Sequence, residues 1–126
     1  MIEALFNQPN YMGAKKLLDA TVMRHEAIAS NLANLEKPNY KRLDVAPVFA
    51  TNLRQAMLSQ DANSMASLRP ELAVDASAVS SRPDGNTVQL ESELIRLNQN
   101  SMEHTLETQL VTASLLRLRT AITGRS

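Results

Sequence analysis

Residues 86–124 read NTVQLESELIRLNQNSMEHTLETQLVTASLLRLRTAITG, with no proline and no glycine before Gly124. Stepping alternately by four and three from Leu90 gives Leu94, Leu97, Ser101, His104, Thr108, Val111, Leu115, Leu118 and Ile122. A heptad-like seam sustained over this length predicts a helix over 88–122. Where the seam turns polar, the adjacent face supplies Met102, Leu106, Leu110 and Ala113. One apolar strip serves a partner within the chain; two strips predict contacts on more than one side. Asp84-Gly85-Asn86 reads as a turn, with Asn86 as N-cap and Gln89 three residues on, and Gly124 suits a C-terminal cap. Glu91, Glu93, Glu103 and Glu107 come early and Arg117 and Arg119 late, as the macrodipole favours. Such a helix is about 50 Å long, against about 30 Å for a compact domain of this size, so the expected molecule is elongated.

Working backwards, a second proline-free stretch precedes Pro38. Leu18, Val22, Ile28, Leu32 and Leu35 recur at helical spacing, with Ala14, Ala29 and Ala33 beside them. A helix over 12–35 follows, and Pro38 biases Lys37 out of helix. Pro38-Asn39 fits a type II turn, because asparagine tolerates the positive φ at its third position. Residues 36–87 then form a turn, a short helix and a variable loop. Phe49, Leu53 and Met57 place the short helix near 48–59, while 60–87 is expected to be a mobile loop or small hairpin, with a short strand allowed at 71–75. The fold class is mainly α: a single domain over 1–126, an elongated antiparallel hairpin or coiled coil of terminal helices with a loop-rich middle able to hold β-structure.

Composition narrows the function. Only Phe6, Tyr11, Tyr40 and Phe49 are aromatic, so a deep ring-lined pocket is disfavoured. With 13 basic and 13 acidic residues the net charge is zero, which gives no reason to expect nucleic acid. Absence of cysteine removes disulfides, thiolate metal sites and thiol catalysis. No stretch suits a membrane span, and MIEALFNQPNYMGAKK lacks a secretory signal pattern, so any export is expected to need no cleaved signal.

Candidate chemistry is sparse. His25 and His104 fall near the two seams, where they could pair, bind a metal or sense pH, but neither has zinc-site spacing; partly buried interface residues are the plainer reading. The pairs Glu91/Glu93 and Glu103/Glu107 read as solvated helix faces. No nucleophile elbow or phosphate-cradling glycine loop can be assembled. The expectation is no catalytic residue, no cofactor, no metal, no small-molecule substrate and not an enzyme.

One segment is more specific. In residues 25–42, HEAIASNLANLEKPNYKR, the frame Ala29-x-Asn31-Leu32-Ala33-Asn34 followed by Pro38-x-Tyr40-Lys41 resembles the N-terminal signature of bacterial flagellar axial proteins. Asp84-Gly85-Asn86-Thr87, continuing as VQLE and followed by Asn100-Ser101, resembles the C-terminal motif of the proximal rod members of that family. Asn39 stands where the family has glycine, Lys37 where threonine is common, and His104 where tyrosine is usual.

The resemblance implies a structural subunit of the flagellar basal-body rod, part of the drive shaft and export channel, that polymerises through its terminal helices. Implied partners are copies of itself, other rod proteins, and basal-body ring or export-gate components, without direct membrane insertion. It also implies a periplasm-spanning location reached through the flagellar export apparatus. The expected packing seam is Leu18, Val22, Ile28 and Leu32 in the first helix, with Leu90, Leu94, Leu97, Met102, Leu106, Val111, Leu115, Leu118 and Ile122 in the last. Asn31 and Asn34 share a helix face, free to serve an interface or to cap the helix end. Rivals are another rod subunit and a secreted helical-hairpin adaptor or effector.

Overall fold

The structure, a computed structural model, describes residues 9–80 and 82–124. Six elements follow in order: α1 Pro9–Ala33, β1 Leu43–Val45, α2 Pro47–Leu58, α3 Ala62–Ser67, β2 Leu72–Val74 and α4 Leu90–Thr123. The chain is mainly helical, and its two long terminal helices pack on each other. Their pairing is antiparallel: Asn31 meets Glu93, whereas Thr21, earlier in α1, meets Asn100 and Glu107, later in α4.

α1 opens on Pro9, whose fixed φ suits a first turn. It closes where Asn34 donates from both its backbone N–H (3.1 Å) and its Nδ2 (2.8 Å) to the Ser30 carbonyl. The turn that follows has Asn39 at φ 61° and a Tyr40 N–H to Lys37 carbonyl bond of 3.3 Å. These are the positive φ at the third position and the closing bond of the expected type II turn.

α4 has 34 residues, about 50 Å. It ends in Gly124 at φ 68°, whose N–H bonds the Thr120 carbonyl. Its start differs from expectation. The N-cap is Gln89, not Asn86; the Asn86 side-chain amide turns instead to the carbonyls that follow α1.

In the middle segment the short strand allowed at 71–75 forms as β2, paired with β1 from before residue 60. α2 begins with Pro47 and buries Phe49, Leu53 and Ala56; Ala56, not the exposed Met57, completes the inward face. Asp61 caps α3 by accepting from the N–H groups of Asn63 and Ser64, both at 3.1 Å. β1 and β2 pair antiparallel, with Leu43 opposite Val74 and Val45 opposite Leu72. Bonds from Ala46 N–H to Glu71 and from Asp75 N–H to Arg42 extend this ladder at both ends.

The core gathers Ala20 of α1, Val45 of β1, Phe49, Leu53 and Ala56 of α2, and Met65 of α3. α1 is therefore the central element, with the middle segment on one face and α4 on another. Much apolar surface stays outside. Leu58, Val79, Met102 and Leu106 are each more than half exposed.

Candidate assembly site

The two signature segments, nearly fifty residues apart in the chain, meet at the end of α1. Asn86 lies at the centre. Its Nδ2 reaches the carbonyls of Asn34 (3.0 Å), Leu35 (3.1 Å) and Lys37 (2.8 Å), and its Oδ1 accepts from the Val88 N–H at 2.7 Å. These carbonyls belong to the turns just after α1, where the chain leaves the helix, and a residue from across the fold supplies their partner. Asn39 N–H donates to Asp84 at 2.8 Å, Lys41 Nζ to Gly85 at 2.8 Å, and Thr87 N–H to Tyr40 at 3.0 Å. Thr87 Oγ1 accepts from the Arg42 N–H at 2.8 Å. Gly85 has φ 78°, which glycine adopts without strain, and a Cβ there would displace the Asn39 side-chain oxygen, 2.5 Å away.

Asn31 and Asn34 part company. Asn34 serves the helix end, as described. Asn31, fully buried, brackets β1: its Oδ1 accepts from the Leu43 N–H at 2.8 Å and its Nδ2 donates to the Leu43 carbonyl at 2.9 Å. Tyr40 Oη donates to Asn31 Oδ1 at 3.2 Å and lies 3.1 Å from Ser30 Oγ. Of the other signature residues, Ala29, Ala33, Pro38 and Lys41 are exposed, Leu32, Asp84 and Gly85 are half-buried, and Thr87 is buried.

Beneath this clasp lies a buried ion pair with no counterpart in the sequence reading. Arg42 Nε donates to Glu93 Oε1 at 2.7 Å, with side chains 4% and 1% exposed. Asn31 Nδ2 bonds the other Glu93 oxygen at 3.3 Å, and Arg42 Nη1 also reaches Asp75 and Asp44. Burial alone would lower the Arg42 pKa, but hydrogen bonds to Glu93 and Asp75 and the charges of Glu93 and Asp44 raise it above its ordinary value. A hydrogen bond from Ser77, followed by Arg42, holds the Asp75 carboxyl below the usual range.

Glu93 is therefore not a solvated dipole partner. Nor is Glu107, which is buried and whose pKa rises through desolvation, although Thr21 bonds it. Glu103 keeps the expected exposure and pairs with Arg24 at 3.3 Å.

The expected seam divides. Ile28 and Leu118 are buried, and Leu18, Leu32, Leu97 and Val111 are half-buried. Val22, Leu90, Leu94, Met102, Leu106, Leu115 and Ile122 are exposed, Met102 at 73% and Leu106 at 58%. The stripe of α4 with low exposure instead runs through Glu93, Leu97, Asn100, Glu107, Val111, Ser114 and Leu118, the same heptad spacing turned by about one residue. His25 and His104, both exposed, line one cleft between α1 and α4 with Thr21 and Asn100. Among the described residues no group of three or more acidic or histidine side chains could hold a metal, and no helix is long and apolar enough to cross a membrane.

These features define a mainly helical chain with paired terminal helices, a hydrogen-bonded clasp between their inner ends, and apolar side chains left exposed along α4. No family model matches the chain. It is 30% identical over 115 residues to a Borrelia hermsii protein named flagellar basal body rod protein FlgB, covering 77% of this chain and 83% of that one. A Borreliella burgdorferi protein of the same name is 26% identical over 113 residues, covering 75% of this chain and 82% of its own. The chain belongs to the FlgB family of flagellar basal body rod proteins.

Proposed function

We propose that the chain is a non-enzymatic subunit of the proximal rod that polymerises through its terminal helices, forming part of the drive shaft and the wall of the export channel. Its neighbours are copies of itself and other rod proteins, with ring or export-gate components at the base. It reaches the periplasm-spanning rod through the flagellar export apparatus. The observation that carries this reading is the uncovered aliphatic face of α4, including Ile95, Met102, Leu106 and Leu110. Soluble monomers seldom expose contiguous apolar patches of more than a few hundred Å², and a heterologous contact repeated along such a face builds an open helical array.

The test separates assembly from folding. Leu106→Glu with Leu110→Glu alters side chains that are 58% and 47% exposed, so the purified chain should melt within about 0.5 kcal/mol of the parent. The same variant should abolish swimming in soft agar and remove rods from isolated basal bodies. Normal rods and normal swimming in this variant, or in a strain lacking the gene, would refute the proposal.

A further inference from the structure

The side of α4 turned away from α1 follows one line along the helix. By helical geometry Ile95, Met102, Leu106 and Ala113 stand within about 20° of that line, and all four are exposed. Glu91 and Arg117 stand within about 40° of it at its two ends, with Gln99 and Gln109 between them. Both end residues are exposed and form no ion pair or side-chain hydrogen bond among the described residues.

Turned end to end about the level of His104, this line matches itself. Glu91 meets Arg117, Ile95 meets Ala113, Gln99 meets Gln109 and Met102 meets Leu106. Each level joins an acid to a base, a large apolar group to a small one, two amides, or two flexible apolar chains. Parallel pairing in register would instead set Glu91 against Glu91 and Arg117 against Arg117. Antiparallel pairing also brings each helix start beside the other's end, as the macrodipoles favour. We propose that free copies of this chain pair through this line of α4 as an antiparallel two-fold dimer, which covers the assembly face until the copies part. The inference rests on the self-assembly reading above and gives that face a regulation. A two-fold contact closes on itself and stops at two copies, whereas a rod needs a contact that repeats. The matched span, residues 91–117, is about 40 Å long.

Because the chain has no cysteine, Ile95→Cys with Ala113→Cys tests both direction and register. Within one helix the two thiols lie about 27 Å apart, too far for an intrachain bridge; across the dimer they face each other. Mild oxidation of the purified double variant should give disulfide-linked dimers and no longer ladder, with neither single variant cross-linking. Single variants that cross-link as readily as the double overturn the antiparallel register. Charge reversal tests the two ends. Sedimentation equilibrium of the purified full chain should show dimers. Glu91→Arg or Arg117→Glu alone should raise the dissociation constant about tenfold, because two attractions become two repulsions. Both changes together should return it to within about twofold of the parent. A chain that stays monomeric, or a double reversal no tighter than either single one, overturns the dimer. In that case rods that need the gene leave the assembly reading standing. A strain that lacks the gene and builds normal rods defeats the assembly reading, and with it the regulation, even where the purified chain is dimeric.

Discussion

Replacing Glu93 by alanine tests whether the clasp is held from beneath by the buried ion pair. Glu93 is fully buried, and its loss strands Arg42 Nε, 2.7 Å from the departed oxygen, and takes from Asn31 Nδ2 one of its two acceptors, leaving the Leu43 carbonyl. Removing one partner of a buried pair typically costs about 3–5 kcal/mol. Arg42 keeps Asp75 and Asp44 as partners, so the expected loss is at the lower end, about 3 kcal/mol. For a chain of this size that corresponds to a fall of about 12 °C in Tm. The assay is thermal and urea unfolding of the purified full chain, followed by circular dichroism at 222 nm.

A second variant isolates the pair from the cavity. Arg42→Met with Glu93→Leu removes both charges and fills most of the space, so it should lose much less than Glu93→Ala alone. A Tm within 3 °C of the parent for Glu93→Ala would refute the reasoning, since Arg42 would then be finding solvent or a new partner. A double variant as unstable as the single one would assign the loss to packing instead of to an uncompensated charge.

Other outcomes follow from neighbouring features. Gly85→Ala should cost about 2 kcal/mol or more, combining positive φ with a Cβ against Asn39, whereas Gly124→Ala should cost about 1 kcal/mol because nothing lies within 4 Å; parallel urea titrations compare them. Asn86→Ala should free the carbonyls of the turns after α1 and speed amide exchange of Lys37, Asn39, Tyr40 and Lys41, read by hydrogen–deuterium exchange, with a loss of about 3 kcal/mol from its bonds. Glu107→Gln should stabilise the chain at neutral pH, because desolvation raises the folded carboxyl above 4.5. With a raised folded value the parent gains stability as pH falls through it, and the gain is complete below 4.5. The advantage of glutamine should therefore shrink toward pH 4.5 in melts run across that range.

The long helices were legible because their signals are local. A three-four repeat, a proline and a terminal glycine each act within a turn or two of chain, and Pro38-Asn39 announced its own positive φ. Asn86 misled for the same reason: asparagine three residues before glutamine has the local form of a cap, but its partners are Asn34, Leu35 and Lys37. Glu93 in a first turn is what a helix dipole favours, and nothing nearby in sequence reveals Arg42 below it. The aliphatic face of α4 was visible as two strips, yet periodicity could not tell which strip meets α1. The stripe with low exposure proved the more polar one, through Glu93, Asn100 and Glu107. α3 escaped notice because six residues with one buried side chain, Met65, have no period; Asp61 with Ser64 three residues on was its only available mark.

The clasp has a consequence for how this subunit can diverge. By joining Asn39 to Asp84 and Tyr40 to Thr87, it brings the two ends of the intervening excursion together and makes that excursion an insert on a fixed frame. Closing a flexible loop twice as long costs only about 0.6 kcal/mol more. Length and composition between α2 and β2 can therefore drift at small thermodynamic cost, provided that Val45, Phe49, Leu53 and Met65 still cover α1 and Asp75 still meets Arg42. The register of the two long helices is held at the clasp, so an altered insert leaves the spacing of the outward face unchanged. In a rod built as proposed, new lateral surroundings come through one segment while axial geometry is inherited through another.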